Sequence, residues 1–201
     1  MYENSLFYLH LSFLNKLNLL VEKGGNEEMA KKRFMIIFLI VLSIFVLLNP
    51  VKGSAYVLNK QKMTNPKSIN YFNDSSIIKE KLDSYMAYAT KWNYSGSQVK
   101  VSRSIGAVGV EIKNSYSNKN SGTYATTYLT TKQSARIIYY KSFKNTSAAN
   151  KRETVVHEVG HTIGLSHTQS KNNSVSVMRA LNFNQKAYPL ADDKKGINAK
   201  Y

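Results

Sequence analysis

A chain of 201 residues holds one domain of ordinary size plus processing segments, and a core of that size needs no covalent staples. There is no cysteine, which excludes disulfide scaffolds, Cys-ligated metal sites and thiol catalysis. The formal net charge is +16; after Ala55 it is still +14, from 22 Lys plus Arg against 8 Asp plus Glu, so a basic leader does not account for it. Such a field draws the protein toward anionic wall polymers, lipid headgroups or nucleic acid. The lysines are scattered singly, as at Lys79, Lys91, Lys100, Lys113 and Lys132, and no Arg-Gly-aromatic signature accompanies them. Specific nucleic-acid binding is therefore not expected; association with anionic cell-wall or membrane surfaces stays open beside a plain solvated basic surface.

Met29-Ala30-Lys31-Lys32-Arg33 precedes an apolar run from Phe34 to Leu48, and Gly53-Ser54-Ala55 follows it. Basic start, short apolar core and small residues make residues 29–55 a secretory signal, cleaved near Ala55 to give an extracellular product. A membrane anchor is the alternative, against which the run falls short of the ~20 residues that span a bilayer. Residues 1–28 do not suit a position ahead of such a signal; they read as a mis-annotated upstream extension with Met29 as the true start, or else as a real Leu- and Phe-rich extension.

Residues 56–68 are polar, with Asn59, Asn65 and Pro66, and predict a flexible leader, after which 69–201 form the one folded domain. Ile69 to Phe72 suggests a brief strand, and Asn73-Asp74-Ser75 supplies helix caps. Ile78, Leu82, Tyr85, Met86, Ala89 and Trp92 recur at helical spacing, predicting one helix over 76–92. Alternation then marks strands at Val99 and Val101 and at Val108, Val110 and Ile112. Asn114 to Gly122 is a polar surface insert, Thr123 to Thr131 a half-exposed strand and Ala135 to Tyr140 another. Asn150 with Glu153 reads as a capping box for a helix over 151–163. That helix has a core face of Val155, Val156, Val159 and Ile163 and a polar stripe of Asn150, Thr154, His157 and His161.

Residues 157–167 read H-E-x-x-H-x-x-G-x-x-H. His157 and His161, four apart, stand on one helix face and can reach one ion. Gly164 can take the left-handed conformation that ends a helix, letting the chain double back and bring His167 to the same metal. Three nitrogens with a position left open are the donor set of catalytic zinc. Glu158 lies beside the metal face, poorly placed to coordinate, and suits a general base acting on water.

This pattern resembles the active-site motif of the metzincin clan of zinc endopeptidases, with all five fixed positions present. The resemblance implies a methionine turn beneath the metal, matched by Met178. Asp192-Asp193, then Gly196-Ile197 and Tyr201, is similar to the closing helix of matrixins, most nearly a minimal bacterial matrixin-type catalytic domain. By that likeness the Asp pair ties the last helix to the methionine turn or to the mature N-terminus, and Ala135 to Tyr140 is the edge strand above the cleft, with Tyr188 as a candidate wall. The implied fold is α+β: a mixed twisted sheet with a backing helix, an active-site helix and a small C-terminal subdomain ending in a helix.

The implied protein is a monomeric, secreted zinc endopeptidase acting on protein or peptide substrates, with one catalytic Zn2+. Calcium enters only by analogy, since no calcium loop is recognisable. Without cysteine a cysteine switch is excluded, and Ala180 stands where some relatives carry a tyrosine ligand. The competing reading is a basic surface- or wall-binding protein with a non-catalytic zinc site; a third is an amidase acting on wall peptides.

Overall fold

The chain divides into two units, Met1–Gly53 and Ser54–Tyr201, and the computed structural model describes residues 27–48, 55–106, 110–172 and 174–201. In the first unit Glu27–Leu48 forms helix α1, which contains the expected apolar run. Among the described residues no helix is long and apolar enough to cross a membrane. Residues 1–26 and 49–54, which carry most of the proposed extension and the small residues before Ala55, lie outside the described residues.

The second unit is built on a five-stranded mixed sheet, β1 (Ile69–Asn73), β2 (Val101–Arg103), β3 (Val110–Ser117), β4 (Ala125–Leu129) and β5 (Ser134–Tyr140). Its order is β2-β1-β3-β5-β4, with β4 alone antiparallel to its neighbour. Val108, expected in the third strand, lies outside the described residues. The edge beside the cleft is β4 and not β5, which corrects the assignment of Ala135 to Tyr140 to the edge. The chain turns tightly between the two strands, Thr130 and Thr131 both donating backbone N–H to Ser134 O. β5, whose Ala135, Ile137 and Tyr139 are buried, is thereby drawn inside between β3 and β4. Thr- and Tyr-rich β4, with Tyr128 and Leu129 exposed, can bear a solvated edge.

The helix expected over 76–92 is three shorter pieces: α2 (Ser75–Lys79), α3 (Asp83–Met86) and a 3-10 turn (Ala87–Trp92). Asp74 caps α2 as expected, accepting from Ser76 N at 3.0 Å. Lys81 then takes φ 54, and Leu82 N–H returns to Ile77 O, the left-handed closure that ends a helix. Ile77 is therefore buried and Ile78, assigned to the core, is exposed. Beyond the break Met86, Ala89 and Trp92 are fully buried at a spacing of three, which suits the tighter 3-10 pitch.

Helices α4 (Lys141–Asn145) and α5 (Ala148–Thr162) follow the sheet. The cap of α5 is Ser147, whose hydroxyl accepts from Asn150 N, so the predicted Asn150–Glu153 box does not form and Glu153 is free for another role. Val155, Val156, Val159 and Ile163 are buried as expected, and Trp92 Nε1 donates to Val156 O at 3.0 Å, fixing the 3-10 turn against α5. The chain closes on α6 (Ala191–Lys200).

Residues 56–68 do not form a loose leader. Leu58 bridges antiparallel to Leu165, Asn59 N and Ser166 N make backbone hydrogen bonds across that bridge, and Met63 is buried. Gln61 donates to Thr131 O, and Lys200 donates to Asn59 O. The polar composition that suggests a leader in the sequence is spent on these bonds.

Candidate active site

α5 presents His157 and His161 one turn apart, and the chain after it delivers His167. Gly164 makes the turn with φ 111, as the motif requires. It is needed for space as well: an added Cβ would meet Gln61 O at 2.9 Å and Lys200 Cε at 2.8 Å. Gly160, which the sequence reading passed over, is the second steric requirement, since a Cβ there would lie 2.3 Å from Met178 Sδ and 2.9 Å from the Trp92 ring. The methionine turn therefore packs directly beneath the helix that carries the histidines. Replacing Gly160 by Ala should destabilise the fold by about 1–3 kcal/mol through overpacking, measurable as a lowered denaturation midpoint at unchanged slope.

The three imidazoles converge. His157 Nε2 lies 3.2 Å from His167 Nε2 and 3.1 Å from His161 Nε2, and one nitrogen from each ring falls within 4.8 Å of the others. The outer nitrogens are already committed: His157 Nδ1 donates to Val177 O at 2.9 Å, and His161 Nδ1 to Leu165 O at 2.8 Å. These bonds set the tautomer that leaves each Nε2 lone pair facing the common point. Burial lowers His157 to about 4, against the Val177 hydrogen bond, and His161 likewise to about 4, with the neighbouring His157 adding to the effect. Both rings are thus neutral near pH 7, the form a metal accepts. On this donor chemistry the residues fit a zinc ion.

Around this cluster the supporting bonds run to distant parts of the chain. Asn59 Nδ2 donates to both His161 O and Leu165 O at 2.9 Å, bracing the carbonyl that orients His161. Asp193 on α6 accepts from Ser176 Oγ at 2.5 Å and from Val177 N at 2.8 Å, and Val177 O in turn holds His157. A single residue, Val177, thus links α6 to a histidine of the cluster. Asp192 accepts from Ala55 N at 2.9 Å, so the pair divides its work between the methionine turn and the start of the second unit. Met178 itself is buried, its N–H bonded to Ser176 Oγ.

Glu158 sits in the same cleft, its Oε2 accepting from Thr127 Oγ1 on β4 at 2.6 Å. Burial raises its carboxyl above the ordinary glutamate range, with His161 and the Thr127 hydroxyl pulling the other way. The cleft encloses roughly 900 Å³ between β4, α5 and residues 180–185. Asn150, Thr154, His157 and His161, the polar stripe of the sequence, all line it. Tyr188, a candidate wall, does not; Phe183 stands there instead, its ring 5.7 Å from that of His157 and 5.8 Å from Tyr124. Thr127, Phe183, Asn59 and Gly160 carry no motif that a sequence reading could seize.

Comparison with known proteins places these features in a family. Residues 72–201 match the family model described as Matrixin. Among solved structures, the chain is similar to one titled the GM1-bound form of the ECX AB5 holotoxin, at 15% identity and TM-score 0.51, covering 73% of this chain and 88% of that one. Myroilysin is also similar, at 15% identity and TM-score 0.48, covering 73% of this chain and 98% of that one. No curated protein matches.

Proposed function

The chain belongs to the matrixin family and is a zinc metallopeptidase, and on that premise we propose that it is a secreted endopeptidase in which His157, His161 and His167 hold the zinc and Glu158 is the general base. The observation that carries the reading is the convergence of three Nε2 atoms, two of them on rings fixed by backbone carbonyls, beside a buried carboxylate. Zinc in such a site polarises the scissile carbonyl and acidifies water. Glu158 takes one proton from the attacking water as its oxygen bonds to the carbonyl carbon, then delivers that proton to the amine nitrogen as the C–N bond breaks. The exposed edge of β4 offers backbone groups with which an extended substrate can pair.

Thr127 fixes the carboxylate in this scheme. Thr127→Val should lower kcat about tenfold or more at little change in KM, since a hydrogen bond to a charged group is worth about 1.5–3 kcal/mol. Thr127→Ser should restore most of the rate. The reading as a whole is tested by a cleavage profile of wild type beside Glu158→Gln against a diverse peptide library. Cleavage of internal peptide bonds by wild type alone is expected; cleavage confined to wall peptides would make the protein a wall amidase.

Localisation follows from the leader: removal of a signal near Ala55 places the protein outside the cell, which N-terminal sequencing of the secreted product would establish. The anionic-surface reading has one observation in its favour. Of the eight carboxylates after Ala55, Glu153, Glu158, Asp192 and Asp193 are buried, so the surface is more basic than composition indicates. Binding of Glu158→Gln to anionic wall polymer, weakened by salt, would separate that association from cleavage.

A further inference from the structure

Glu153 has no part in the chemistry above, yet it is the most deeply placed carboxylate beside the cleft, fully buried on α5 four residues before His157. A buried charge is retained only when paired and hydrogen-bonded. Here the partners are particular. Arg179 Nη2, itself buried, lies 3.1 Å from Oε1. The other donors are the backbone N–H groups of Asn184, at 3.1 Å to Oε1, and of Gln185, to Oε2. Both belong to the segment that forms one side of the cleft, and Arg179 directly follows Met178 of the turn under the metal site.

That segment has an unusual backbone. Asn182 and Gln185 have φ 59 and φ 63; asparagine enters this left-handed region readily, but glutamine holds it only where its surroundings fix it. Phe183 lies between them, its ring toward His157 and Tyr124. Among the described residues, the cleft lining carries no Lys, Arg or Asp, and Glu158 is its one carboxylate.

We propose that Glu153 is a specificity-determining positioning residue: by holding the backbone of Asn184 and Gln185 to α5, it fixes Phe183 as a wall of the cleft beside His157, so that the width of the side chain accepted there depends on this clamp. The proposal rests on the peptidase reading and names a residue that sets the selectivity of that same site. Arg179 neutralises Glu153, so the clamp places no net charge behind that wall.

The test compares the zinc-loaded wild type, Glu153→Gln and Phe183→Ala in amide hydrogen exchange and in kcat/KM across a peptide library varied one position at a time. Gln keeps the volume but replaces an acceptor oxygen with an N–H2 group, which cannot receive a backbone N–H. In Glu153→Gln the remaining oxygen faces Arg179 and Asn184 N, so exchange at Gln185, whose N–H faces Oε2, should rise at least about tenfold while Leu165, bonded within the motif to Gly160 O, is unchanged. Discrimination between narrow and bulky uncharged side chains should fall about tenfold at one substrate position and hold at the others. Phe183→Ala should flatten the same position with Asn184 and Gln185 still protected. Unaltered exchange in Glu153→Gln, or a uniform loss of rate with the profile preserved, would overturn the proposal. If wild type cleaves no peptide, the peptidase reading fails separately, and the clamp is decided by the exchange rates and by selective retention of the same peptides on immobilised protein.

Discussion

Glu158→Gln should retain one zinc per chain and lose peptide hydrolysis by about a hundred- to ten-thousandfold, the range over which a positioned acid–base group contributes. Gln preserves the volume and can still accept the Thr127 hydroxyl, so the fold and the histidine cluster should persist. What it cannot do is take a proton. Burial already raises the Glu158 carboxyl, which makes it a better proton acceptor from water than an exposed glutamate. Metal analysis beside steady-state rates checks the prediction, and a Gln variant with full activity would remove Glu158 from the mechanism.

His157→Ala should reduce zinc binding to a small fraction of wild type and bring activity to background, because it removes the ring at the centre of the cluster, within 3.2 Å of both partners. It also leaves Val177 O without its donor, so the methionine turn loosens with the site. Titration of wild type gives a companion result. His157 and His161 are lowered from 6.5 to about 4 by burial, so between those values the unfolded chain binds protons that the folded chain does not. Folded stability of the metal-free protein is therefore fully supported above about pH 6.5 and declines as pH falls toward 4. Zinc, which binds only the neutral rings, should be released over an acid range as well, with activity following it. Denaturation midpoints and metal retention at several pH values measure both.

The site was more legible than the fold around it, and the difference has a physical basis. The spacing of His157, His161, Gly164 and His167 encodes geometry through local rules, helix periodicity and a positive φ, which act within eleven residues. The valine face of α5 follows from periodicity in the same way, and β1, β4 and β5 fall on the short segments whose composition suits strands. Where the outcome depended on distant partners, the sequence misled. The 76–92 segment has helical spacing throughout, but Lys81 closes a turn there and the tighter pitch beyond it suits the packing of Trp92 on Val156. Residues 56–68 look like a leader because their polarity is visible and their partners at Gly164, Leu165, Thr131 and Lys200 are not. Asn150 and Glu153 have capping-box spacing, yet Ser147 takes the cap and Glu153 turns to Arg179 and the cleft wall. Edge and interior strands likewise depend on which strand pairs across from β3, a choice made by topology.

The central claim, that this chain hydrolyses peptide bonds through a zinc ion held by His157, His161 and His167, is tested most directly by returning zinc to chelated protein while following cleavage of a substrate peptide. The metal-free protein should show no activity, and recovery should rise linearly and saturate at one zinc per chain. Activity that survives complete chelation would contradict the claim.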